Sequence, residues 1–142
     1  MPVVAKIYGW AFAAEMAAVV SLYYFKLEWD DAQMLALCEA LRAAHAGGGL
    51  RKLEKLYLGY NQMGDETAAA LASLLEGGAM PKLKSLSLRD NRIGEAGMAA
   101  LASAVRGGAL PSCAEIVLYS NPGSAAPVKE AAAQRGGLKV MA

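Results

Sequence analysis

Apolar side chains recur along this chain at the first, fourth and sixth places of a nine-residue unit that closes on asparagine. Leu83, Leu86, Leu88 and Asn91 define the unit; Leu53, Leu56, Leu58 and Asn61 stand thirty residues earlier, and Cys113, Ile116, Leu118 and Asn121 thirty residues later. Alternation between the fourth and sixth places is the two-residue period of a strand, with the intervening side chains on the opposite face. Beyond each asparagine the pattern changes to helical spacing, predicting helices over Asp65 to Leu75 and Glu95 to Val105. Leu71, Leu74 and Leu75, matched by Leu101, Ala104 and Val105, would face the strands. Each helix runs into Gly-Gly, and Met80-Pro81 or Leu110-Pro111 then turns the chain into the next strand, where proline blocks further helix. A fixed period of this kind is the mark of a repeat architecture.

Both ends depart from the pattern. Leu22, Phe25 and Leu27, followed by Asp30, fit the same spacing with Asp in place of Asn, so a first, degenerate copy is expected there. Asp30 or Asp31 can also cap a helix that carries Met34, Leu37, Cys38 and Leu41 and stops at Gly47-Gly48-Gly49. At the other end Asn121 is followed by Pro122-Gly123, the helix shortens to about Pro127 to Arg135, and Leu138 and Val140 offer one last short strand. Residues 3–21 are apolar except for Lys6 and Glu15, which fall on opposite sides of a helix and leave it without a polar face. Three readings of this run follow, in order. The first is an N-terminal helix over residues 1–21 that caps the first repeat, ahead of a repeat domain over 22–142. The second is an anchor to a membrane or membrane complex through residues 3–25, and the third a signal peptide. The strand motif at Leu22 leaves only about fifteen apolar residues for a helix, short of the ~20 a bilayer needs.

Composition narrows the function classes. Hydrophobic residues make up 56% of the chain, but alanine supplies much of this, so the core is built largely from small side chains. Fourteen basic and thirteen acidic residues give a net charge of +1 with no basic block, which argues against a nucleic-acid partner. Cys38 and Cys113 form no disulfide framework, and Cys113 occupies a core position of the repeat. No Asn-x-Ser/Thr sequon occurs, and these facts together point to an intracellular, cytoplasmic setting, with membrane association as the alternative. His45 is the single histidine, beside a helix end, and no metal-ligand spacing is present. No catalytic residue, metal site or cofactor is expected.

The pattern Leu-x-x-Leu-x-Leu-x-x-Asn-x-Ile-Gly, with a full helix and a thirty-residue period, resembles the ribonuclease-inhibitor-like subfamily of leucine-rich repeats. It looks most like the Ala- and Gly-rich arrays, with Gly-Gly-Ala-Leu-Pro joints, of unicellular algae and other protists. The likeness covers roughly residues 22–137 and is strongest from Leu53 to Asn121. It implies an α/β solenoid: a short right-handed horseshoe with parallel strands on the concave face and helices on the convex one. It further implies that Asn61, Asn91 and Asn121 form a ladder satisfying backbone groups, with Asp30 as a weaker first rung. Members of this family include nuclease inhibitors, GTPase-activating proteins and innate-immune sensors, so the fold does not fix the function. The GTPase-activating relatives raise Arg89, Arg92 and Asn91 as a charge-stabilising set; a surface arginine pair and a ladder asparagine are the plainer account.

What the pattern does single out is the outward face of the strands. Its positions are Tyr24, Lys26, Glu28 and Trp29; Lys55, Tyr57, Gly59 and Tyr60; Ser85, Ser87, Arg89 and Asp90; Glu115, Val117, Tyr119 and Ser120. Four of the six tyrosines and one of the two tryptophans fall here, and Tyr, Trp and Arg are the types enriched at interface hot spots. Lys26, Trp29, Lys55, Tyr57, Tyr60, Arg89, Asp90 and Tyr119 are therefore the expected contacts to a protein partner. The rival expectation is a structural or linker subunit of a larger assembly, membrane-bound or not, held by the apolar N-terminal run.

Overall fold

The computed structural model of the chain describes residues 19–24 and 26–142. Among these, five strands alternate with four helices: β1 (Ser21–Tyr23), α1 (Asp31–Ala46), β2 (Lys55–Tyr57), α2 (Asp65–Glu76), β3 (Ser85–Ser87), α3 (Glu95–Arg106), β4 (Glu115–Val117), α4 (Ala126–Arg135) and β5 (Lys139–Met141). All the strands pair in parallel, in sequence order, to make one sheet. Successive helices pack against one another in the same order. The result is an α/β solenoid with strands on one face and helices on the other.

Register follows the apolar pattern. Leu56 pairs with Leu86 and Leu86 with Ile116, and all three are buried. Leu53, Leu58, Leu83 and Leu88 are buried alongside them, and from the helices Leu71, Leu74, Leu75, Leu101, Ala104 and Val105 close the core as their spacing predicts. Gly48, Gly78 and Gly108 take φ of +85°, +78° and +88° just after α1, α2 and α3, a left-handed turn that a side chain would resist. The asparagine ladder forms at all three expected places. Asn91 Nδ2 donates to the carbonyls of Leu58, Leu88 and Arg89 at 3.0, 3.1 and 3.2 Å, and its Oδ1 accepts from Met63 N at 3.0 Å.

The first copy is phased differently from its expectation. Leu22 pairs with Leu56, which makes Leu22 the fourth place of the unit and not the first. Val19, Leu22, Tyr24 and Leu27 thus align with Leu53, Leu56, Leu58 and Asn61, and the first repeat carries no ladder asparagine. Asn61 closes that end instead, donating to Tyr24 O at 2.7 Å and accepting from Leu27 N and Trp29 N. Asp30 is no rung of the ladder. It is the N-cap of α1, accepting from Gln33 N at 2.9 Å while Gln33 Oε1 accepts from Asp30 N at 3.0 Å. A strand ladder and a capping box, each satisfying several backbone groups, together outweigh a three-residue coincidence of apolar spacing.

Of the N-terminal helix expected over residues 1–21, residues 1–18 lie outside the described residues, while Ser21 belongs to β1. No helix among the described residues is long and apolar enough to cross a membrane.

Candidate functional site

The strand face is built by the same period. Because Leu56, Leu86 and Ile116 of β2, β3 and β4 point inward, Tyr57, Ser87 and Val117 point outward in one row, and Lys55, Ser85 and Glu115 in the next. Hydrogen bonding continues past the strands: Leu88 N donates to Val117 O, Tyr60 N to Arg89 O and Asp90 N to Tyr119 O. This carries Arg89 and Tyr119 onto the same face. At the chain's exit from each strand, Tyr60, Asp90 and Ser120 have φ of +58°, +53° and +59°. Lys26, at +57°, holds the matching place of the first repeat. Repetition of this left-handed residue aligns Lys26 with Tyr60.

Cations and aromatic rings alternate along this edge. Lys26 Nζ lies 5.3 Å from the centroid of Tyr60; the Arg89 guanidinium lies 5.3 Å from Tyr60 and 5.8 Å from Tyr119. Arg89 Nε donates to Asp90 Oδ2 at 3.0 Å, which fixes the guanidinium and raises its already high pKa further. Gly59 provides the room, since a Cβ there would meet Arg89 Cγ at 3.0 Å and Arg89 O at 3.1 Å. Between Tyr57 and Tyr60 on one side and Val117 and Tyr119 on the other is a depression of about 390 Å³ floored by Ser85 and Ser87. Ser85 Oγ donates to Glu115 Oε1 at 2.9 Å at one end of it, and Arg89 stands at the other.

Seven of the eight expected contacts lie on this face: Lys26, Lys55, Tyr57, Tyr60, Arg89, Asp90 and Tyr119. Trp29 does not. Gln62 N donates to Trp29 O just as Arg92 N donates to Met63 O, so Trp29 holds the place of the buried Met63. It is half-buried against the core, 5.8 Å from the ring of Tyr24. Tyr24 is turned inward as well, and burial pushes its hydroxyl pKa up. Both misplacements share one cause, the shift in phase of the first copy. Tyr23 takes the outward place instead, 52% exposed, with its ring 5.0 Å from Tyr57 in an edge-on arrangement. Met141, from β5, also reaches the depression. Alternation finds both residues once the pairing is known, since Tyr23 and Met141 directly follow the inward Leu22 and Val140.

Other candidates dissolve into structure. The Asn91 amide is committed to backbone groups and is unavailable to an oxyanion. Cys38 and Cys113 are free, buried thiols, and burial pushes Cys38 up to about 12. Among the described residues there is no group of three His, Cys, Asp or Glu side chains that could hold a metal ion.

The Leucine Rich repeat family model matches residues 49–72 and 79–102. These segments cover β2, the start of α2, β3 and the start of α3, the part of the chain whose pattern is cleanest. The two matches, with the parallel sheet and its alternating helices, support a leucine-rich repeat protein. No curated protein matches the chain.

Proposed function

We propose that this chain is a non-catalytic protein-interaction module that receives a protein partner on its strand face. The observation that carries the proposal is the row Lys26–Tyr60–Arg89–Tyr119, in which cations and exposed rings alternate across successive repeats. Tyr60 is 40% and Tyr119 44% exposed, so both rings flanking Arg89 present apolar surface to solvent. Rings held by neighbouring cations are already ordered, so docking a partner on them loses little side-chain entropy. Solenoids of this kind generally present an extended binding surface along their concave side. The ribonuclease-inhibitor-like character suggested by the repeat pattern fits the same use.

The test is affinity purification from the source cells with tagged wild type, a Tyr60→Ala/Arg89→Ala double variant and a helix-side Arg106→Ala control. A partner recovered by wild type and control, and lost by the double variant, is the expected result. A partner that the double variant keeps and the control loses would move the interface to the helices. The alternative, a structural or linker subunit of a larger assembly, membrane-bound or not, rests on the apolar run over residues 3–21. It requires the native protein to sediment with membranes or a large complex, and to be released by detergent.

A further inference from the structure

The depression over β3 has a direction and a polarity, and these define the ligand more narrowly than a protein surface in general. Its floor is low because β3 offers only Ser85 and Ser87, while Tyr57 and Tyr60 rise from one neighbouring repeat and Val117 and Tyr119 from the other. The trough therefore runs along the strand and not across the repeats. One end is cationic: Arg89 uses Nε on Asp90, and its two terminal nitrogens donate to no described residue. At the other end Glu115 is the one acidic side chain of the lining: its Oε1 accepts from Ser85 Oγ and its Oε2 accepts from no described residue, while Lys55 and Lys139 hold the flanking places of the same row outside the trough.

Glu115 lies directly across from Ser85, and Arg89 is four residues further along the chain, two past the end of β3. Four strand residues span about 13 Å. An extended peptide covers the same distance between residues i and i+4, and its i, i+2 and i+4 side chains fall on one side. We propose, building on the protein-binding reading above, that the trough binds an extended segment of a partner protein with three alternate residues facing down. These are an acidic residue on Arg89, an apolar residue between Tyr57 and Val117, and a basic residue on Glu115. The two free guanidinium nitrogens suit a carboxylate bound by both oxygens. A dianion would meet the charge of Asp90 beside Arg89, which favours the singly charged carboxylate over a phosphate.

Selection of random heptapeptides displayed on phage against the immobilised full chain tests this. The expected consensus from wild type is an acidic, an apolar and a basic residue at alternate positions. Selection against Glu115→Lys should replace the basic residue by an acidic one. In fluorescence-anisotropy titrations the wild-type consensus peptide should lose at least tenfold in affinity on Arg89→Ala. Circular dichroism and melting of each variant keep a folding defect distinct from a lost contact. Selected peptides that need Tyr60 but lack the alternate charges would overturn this inference and leave the protein-binding reading standing. Failure to enrich any peptide would also overturn it, while the purification experiment judges the broader reading independently.

Discussion

One side chain of Asn91 settles four backbone groups that the chain exposes where it leaves β2 and β3: three carbonyls and the Met63 amide. Only a primary amide can do this, since it donates and accepts from adjacent atoms. Asn91→Asp exchanges the donor for a second acceptor facing three carbonyls in a buried site, and should cost ~3 kcal/mol. The same change at Asn121, which is less buried and closes the last full repeat, should cost ~1 kcal/mol. Urea unfolding of the two variants checks the order; equal losses would mean the rungs are not graded by burial. Cys38 supplies a pH dependence at the same scale. Burial raises its thiol from the usual 9.0 to about 12 in the folded chain. Between these values the unfolded chain releases the proton and the folded chain keeps it, so stability falls as pH rises through that window. At one pH unit above the unfolded value the loss is about 1.4 kcal/mol. Cys38→Ala should remove it, so wild type should lose more stability than the variant between pH 8 and pH 10 by that amount in urea titrations.

Among the elements, the helix starts show how neighbouring repeats complete one another. Asp30 caps α1 with its own side chain, whereas Gly64 and Gly94, at the corresponding places before α2 and α3, have none to offer. Their caps come from the preceding helix. Asp31 Oδ1 accepts from Gly64 N at 2.9 Å and from the Thr67 hydroxyl; Asp65 Oδ1 accepts from Gly94 N at 2.6 Å and from Gly97 N at 3.0 Å. Glu95 continues the series by accepting from Ser124 N at 3.0 Å. Glycine at the cap is what lets the carboxylate approach, for a Cβ on Gly94 would sit 3.0 Å from Asp65 Oδ2. Asp65→Ala should therefore uncap α3, not its own helix, and cost ~1–2 kcal/mol, the range of an ordinary N-cap deletion. Glu66→Ala, one residue on and exposed, should cost only a few tenths. Hydrogen exchange after Asp65→Ala should speed up in the first turn of α3; faster exchange confined to α2 would refute capping between repeats.

For the whole molecule, stability is a chain of interfaces between neighbouring repeats, with the core continuous from Leu22 to Leu138. Helix length and the link after the helix absorb the irregularities of spacing. The interval is 34 residues from Leu22 to Leu56, 30 to Leu86, 30 to Ile116 and 24 to Val140, yet each pair stays in register. The long first interval is taken up by the 16 residues of α1; the short last one reflects the 10-residue α4 and, more, the short link from Arg135 to Lys139, where Arg106 to Glu115 is the matching link one repeat earlier. In such a structure the outermost interface decides whether the end repeat stays folded. Deleting residues 1–18, which leaves β1 whole, tests whether those residues belong to that interface. If they cap it, the truncated chain should melt several degrees lower, in line with a loss of about 1–2 kcal/mol. If they anchor the protein elsewhere, the melting temperature should hold and solubility should rise.

Strand and helix order, the inward leucines, the asparagine ladder and most of the outward face were all legible in the sequence, because a strict thirty-residue period repeats each residue's surroundings. Lys55, Tyr57, Tyr60, Arg89, Asp90 and Tyr119 fall where alternation alone puts them. The first copy was not legible in this way. Its apolar run, Val19 to Leu27, offers two phases, and the interval that chooses between them is 34 residues rather than 30. Only pairing of Leu22 with Leu56 turned Tyr23 outward and Tyr24 and Trp29 inward, and released Asp30 to cap α1. Tertiary structure alone likewise joined Lys26, Tyr60, Arg89 and Tyr119 into one row, and set Arg89 and Glu115 at opposite ends of one trough. Those residues come from different repeats, and periodicity states what each repeat presents but not which side chains of neighbouring repeats meet.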